Sequence, residues 1–175
     1  MESMKRNSLS IGVFALILVA TLANLAFVEN CGWAQTRWGM NVNEVIKATG
    51  LRVVPASGDK PALQYVAPKV DIFTYSFEGT FTFAEGKALD SITLYSRQGK
   101  GSTNDAAFIY LIDRLAEKYG QPVLFQDNKD LVSRTYKWAT TCLVIDLIFI
   151  SSDKTDGDTL ILKYRPNSSI ADPRF

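Results

Sequence analysis

The stretch that decides the fold is Asp71-Ile72-Phe73-Thr74-Tyr75-Ser76-Phe77-Glu78-Gly79-Thr80-Phe81-Thr82-Phe83, followed by Ala84-Glu85-Gly86-Lys87 and then Ala88-Leu89-Asp90-Ser91-Ile92-Thr93-Leu94-Tyr95. Phe73, Tyr75, Phe77, Phe81 and Phe83 share one parity, and Thr74, Ser76, Thr80 and Thr82 share the other. Successive side chains of a strand point to opposite faces, so this alternation predicts strands with an aromatic face on a core and a hydroxyl face in water. Glu85-Gly86-Lys87 supplies the turn, and the segment reads as an antiparallel hairpin or meander.

Upstream, Asn41 with Glu44 three residues on matches a capping box, and Gly50 suits the left-handed residue that closes a helix. Val42, Val45 and Ile46 fall on one face of that short helix, with Trp38 expected over its first turn. Leu51 to Val54 starts as a strand before Pro55, and Ala56 to Pro61 is a loop by composition. Ala62 to Ala67 is expected as a short edge strand ended by Pro68. Downstream, Arg97 to Thr103 reads as a link. A second helix is predicted over Asp105 to Lys118, where Phe108, Ile112, Leu115 and Tyr119 recur at helical spacing before Gly120 and Pro122. Leu131 to Trp138 and Thr141 to Ile150 follow as strands, then a turn from Ser151 to Asp158 and a return strand from Thr159 to Arg165.

The order helix, strands, helix, strands predicts an α+β protein. It would hold two helix-plus-antiparallel-strand units, with the helices packed on one face of an antiparallel sheet. The expected organisation is a single domain over 35–166 with an internal repeat of 37–97 and 103–165, and a loosely ordered tail over 167–175.

The start of the chain carries Lys5 and Arg6, then an apolar run from Leu9 to Val28, then Gly32 and Ala34 as small residues. That pattern predicts a signal peptide over 1–34, a mature chain beginning at Gln35, and export to the periplasm or the outside. The alternative is an inner-membrane anchor formed by residues 9–28, the only contact with a membrane that the sequence suggests. Lipidation at Cys31 is not expected, because Asn30 and Val28 stand where a small residue and a leucine are wanted. A cut after Ala34 leaves Cys142 as the only cysteine, so no intramolecular disulfide is expected and Cys142 reads as a small buried hydrophobe.

The 175 residues carry 19 basic and 18 acidic side chains for a net charge of +1, and removing 1–34 takes away two of each sign. Without a clustered basic footprint, no nucleic-acid partner is expected. The chain has no histidine, which removes Ser-His-Asp and Cys-His catalysis and histidine-ligated zinc. Lys100 precedes Gly101 instead of closing a glycine-spaced phosphate loop, and Asp153, Asp156 and Asp158 lack calcium-loop spacing. The sequence therefore reads as non-catalytic, with no cofactor or metal.

Trp38-Gly39-Met40 before the capped helix, Gly86-Lys87 with Leu89 in the hairpin, and Lys118-Tyr119-Gly120 with Pro122 resemble small exported bacterial proteins. Their architecture is similar to the tandem helix–sheet units of β-lactamase inhibitor protein and of small outer-membrane assembly lipoproteins. The missing lipidation motif at Cys31 departs from the lipoprotein members. The resemblance implies a fold and a habit of binding other proteins through a sheet face; it transfers no catalytic residue.

Across Thr141 to Ile150 the second parity is also mostly apolar, unlike the hydroxyl face of the first meander. Val144, Asp146, Ile148, Ile161 and Lys163 are therefore the expected partner-binding face, for another envelope or secreted protein. The alternative function is a carrier of a small apolar ligand or lipid, held in a cavity between helix and sheet lined by Phe73, Phe77, Phe83 and Phe108.

Overall fold

The computed structural model describes residues 31–56, 63–85, 87–99, 104–129, 132–151 and 157–168. Two helices occur among them, α1 (Val42–Thr49) and α2 (Asn104–Tyr119). The strands are β1 (Val54–Pro55), β2 (Gln64–Ile72), β3 (Tyr75–Ala84), β4 (Ala88–Gly99), β5 (Leu124–Asn128), β6 (Ser133–Ala139), β7 (Leu143–Ile150) and β8 (Gly157–Pro166). All eight form one sheet in the order β1-β2-β3-β4-β8-β7-β6-β5, and every pairing is antiparallel.

The expected α+β arrangement of two helix-plus-strand units is not what forms. The molecule is mostly one continuous antiparallel sheet, and the physical reason is where the core lies. β4 and β8 pair from Ile92 opposite Tyr164 to Gly99 opposite Gly157. Ile92, Leu94, Leu160 and Leu162 on that pair are 0% exposed, so the best-buried apolar surface sits where separate units would have had edges. Helix α2 packs across β4, β6, β7 and β8 through Phe108, Leu111 and Leu115, spanning the join.

The aromatic stretch is a hairpin, with a turn the alternation hides. Ile72 pairs with Tyr75, so Phe73 and Thr74 form a two-residue turn across which the inward parity switches, from Val70 on β2 to Phe77 on β3. An aromatic and a hydroxyl residue in the turn itself continue the sequence alternation and hide it. Phe73 sits at φ 54° and is 60% exposed, against 0–3% for Phe77, Phe81 and Phe83. β2 also runs on through Pro68 to Ile72, and β1 rather than β2 takes the sheet edge. Its register slips between Ala67 and Val70, so the missing proline N–H falls at a bulge, where a ladder tolerates it.

Local capping follows the sequence. The Asn41 side chain accepts from the N–H groups of Asn43 and Glu44, and Glu44 accepts from the Asn41 N–H at 2.8 Å. Asn104 at the start of α2 is buried, and its amide donates to the carbonyls of Ser96 (3.2 Å) and Asp158 (2.8 Å). That bond pair ties the helix start to β4 and β8 at once.

Gly79 on β3 is there for space. A Cβ would stand 2.9 Å from Val70 Cγ2 and 3.3 Å from both Leu94 Cδ2 and Phe81 Cε2. Gly79→Ala is expected to cost about 1–3 kcal/mol by overpacking, read as a lower urea midpoint at unchanged slope.

Tyr164 on β8 is 5% exposed. Burial, with Tyr119 acting in the same direction, holds its phenol well above the ordinary tyrosine range. The folded protein therefore keeps a proton that the unfolded chain loses near pH 10. The corresponding stability is whole below pH ~10 and falls by up to about 1.4 kcal/mol per pH unit above it. Tyr164→Phe should flatten that alkaline slope in denaturant titrations.

Cys31 and Cys142 are disulfide-bonded with Cα atoms 5.4 Å apart, and no described cysteine is free. The expectation of a lone, reduced Cys142 is corrected. The segment before α1 is part of the fold: Trp33 packs edge-on to Phe81 at 6.2 Å, and Thr36 is fully buried with its hydroxyl donating to Trp33 O at 2.7 Å. Gly39 N–H donates to Leu89 O (3.0 Å) and Leu89 N–H to Met40 O (2.8 Å), while Trp38 packs against the core.

Candidate functional site

The two faces of the β6–β7–β8 region differ in what they carry. Leu143, Ile145, Leu147 and Phe149 turn toward α2 and are 0–5% exposed. The opposite parity holds all five residues singled out from the sequence. Register places Ile148 opposite Ile161 and Asp146 opposite Lys163, with Val144 opposite Arg165.

The neighbouring strands extend these pairs into two rows. Thr135, Ile148, Ile161, Tyr95 and Glu78 form one, and Lys137, Asp146, Lys163, Thr93 and Thr80 the other. Ile148, Ile161 and Lys163 are half-buried, and Val144 is buried at 6% exposure.

Asp146 is the polar centre of the face. Its carboxylate lies 3.6 Å from Lys137 Nζ and 3.4 Å from Arg165 Nε, with 14% of its side chain exposed. Two cations therefore converge on one carboxylate. Lys137 and Lys163 balance Asp146 and Glu78 within the two rows, and Arg165, opposite Val144, leaves the face with one positive charge in surplus. Strand pairing revealed Lys137 and Arg165; they lie in different elements from Asp146 and no spacing in the sequence links them.

A second feature lies on the α2 side, an open cleft of about 560 Å³ bordered by Asp105, Asp127, Lys129, Arg134, Ser151 and Asp158. The Arg134 guanidinium is held 4.7 Å from the Phe108 ring centre and 4.8 Å from that of Phe149, and it pairs with Asp105. Cation–π contact and ion pairing together fix this arginine as packing. Asp158, 8% exposed, accepts from Ser151 Oγ at 2.9 Å. Among the described residues no three His, Cys, Asp or Glu side chains gather as metal ligands. Asp153 and Asp156 lie outside the described residues, as do Lys100 and Gly101.

The four aromatics expected to line an apolar cavity are not brought together. Phe77, Phe83 and Phe108 fill the core at 1–3% exposure. Phe73 stands on the surface against Tyr110 of α2, ring centres 5.4 Å apart.

Neither a protein-family model nor a curated protein matches the chain. Among solved structures, it is similar to a DUF4309 family protein (YjgB) from Bacillus subtilis, at 13% identity over 73% of this chain and 78% of that one. The TM-score is 0.38, and at that value the likeness carries no argument.

Proposed function

We propose that this protein is an exported, non-catalytic module that binds an acidic patch on another envelope or secreted protein, using the β6–β7–β8 face turned away from α2. The observation that carries the reading is the pairing of rows on that face. An apolar row built on Ile148, Ile161 and Tyr95 lies beside a charged row of Lys137, Asp146 and Lys163, with Arg165 reaching Asp146 from the next pair. Half-buried apolar side chains supply the contact area, and the surplus of positive charge selects the partner and speeds encounter. The disulfide supports the exported part of the reading, because such bonds persist in oxidising compartments and are rare in the cytosol.

The test is capture of partners from envelope extract by the wild-type domain and by Ile148→Asp and Lys163→Glu, at two salt concentrations. An acidic protein retained by wild type, weakened about tenfold by Lys163→Glu and further by salt, is the expected result. Equal recovery by all three forms at both salts would remove this face from the account.

A further inference from the structure

We infer that maturation cuts the chain on the N-terminal side of Cys31, with Ala23 as the residue at the cut, rather than after Ala34. This rests on the exported reading and goes beyond it. A cut after Ala34 would discard Cys31, Gly32 and Trp33, and all three are built into the domain. Cys31 is bonded to Cys142 at the start of β7 across a sequence separation of 111. Trp33 lies on the Phe81 ring, and its carbonyl and N–H both meet the Thr36 hydroxyl. Gly32 is packed so closely that a Cβ there would stand 2.0 Å from Thr36 O. Losing the segment would uncover Phe81 and leave Cys142 an unpaired thiol.

The sequence before Cys31 offers a cut that avoids this. A leader needs an apolar core of about 7–15 residues followed by small residues three and one positions before the scissile bond. Leu9 to Ala20 fits that length, followed by Thr21 and Ala23 in the two small positions. A cut after Ala34 stands well beyond it.

The chemistry then closes. As Cys31 Sγ bonds to Cys142 Sγ, the two thiols give up two protons and two electrons. The acceptor is the disulfide of a thiol–disulfide oxidoreductase of the export compartment, which is reduced to a dithiol.

The experiment is expression of the full chain in an exporting bacterial host, followed by N-terminal sequencing and intact mass. Thiol alkylation is read with and without prior reduction. The expected mature chain begins at Asn24, takes no label before reduction and takes two labels after it; a start elsewhere before Cys31 overturns Ala23 as the cut. Ala23→Phe should slow processing at least tenfold. A mature chain beginning at Gln35 with one labelled thiol overturns the inference while leaving export intact. An unprocessed, disulfide-bonded chain held in the membrane overturns it in favour of an anchor. An unprocessed chain with two labelled thiols in the cytoplasm overturns the exported reading beneath it. Unaltered processing of Ala23→Phe moves the cut away from Ala23.

Discussion

The C31S/C142S double variant is expected to unfold about 3–5 kcal/mol more easily than the oxidised protein. The bond closes a loop with a sequence separation of 111, so its loss restores a large conformational freedom to the unfolded chain. It also frees the start of the folded chain, whose anchors are Trp33 on Phe81, the buried Thr36 and the Met40–Leu89 backbone contact. Guanidinium titrations of the variant and of the reduced wild type should agree, because both lack the same covalent tie, and both should fall below the oxidised wild type. A loss below about 1 kcal/mol would show that residues 31–40 add little to the domain.

Trp138→Ala is expected to cost about 3–5 kcal/mol, near the upper end for a core truncation. Trp138 on β6 is 1% exposed, and its ring stacks with Tyr136 at 6.1 Å. Its indole N–H donates to the carbonyl of Gly120 at 2.9 Å, just past the end of α2. Truncation empties a large volume and removes the donor for that carbonyl. Trp138→Phe separates the two effects: most packing stays, the hydrogen bond goes, and the expected loss falls to about 1–2 kcal/mol. Equal losses in the two variants would assign the whole effect to the hydrogen bond.

Both helices were legible because their ends are written in local chemistry. Asn41 and Glu44 open α1, Gly50 closes it at φ 67°, and Gly120 at φ 83° follows α2. Strand content was legible wherever one face is buried, as at Phe77, Phe81 and Phe83. A turn whose own residues continue the aromatic–hydroxyl alternation was not, and Phe73-Thr74 is the example. β5 left no signal either. It lies at the sheet edge with Gln126, Asp127 and Asn128 in sequence, so nothing in it alternates, and Phe125 is 52% exposed beside Tyr136. The joining of the two meanders through β4 and β8 depends on contacts far apart in sequence, which periodicity does not report. The same limit hid the disulfide, since small residues around Ala34 suggested removing Cys31 before its partner was known. The parity of β7 grouped Val144, Asp146 and Ile148, whereas the cations that meet Asp146 came only with register.

The central claim is that the face turned away from α2 receives an acidic protein. A photo-crosslinking residue at Ile148, and in a second form at Phe125 on the α2 side, within the full chain expressed in cells, tests it. The expected result is an adduct from position 148 with an acidic protein, lost when Lys163→Glu is added, and no matching adduct from position 125. The same adduct from both positions, or one from position 148 that is indifferent to Lys163→Glu, would contradict it.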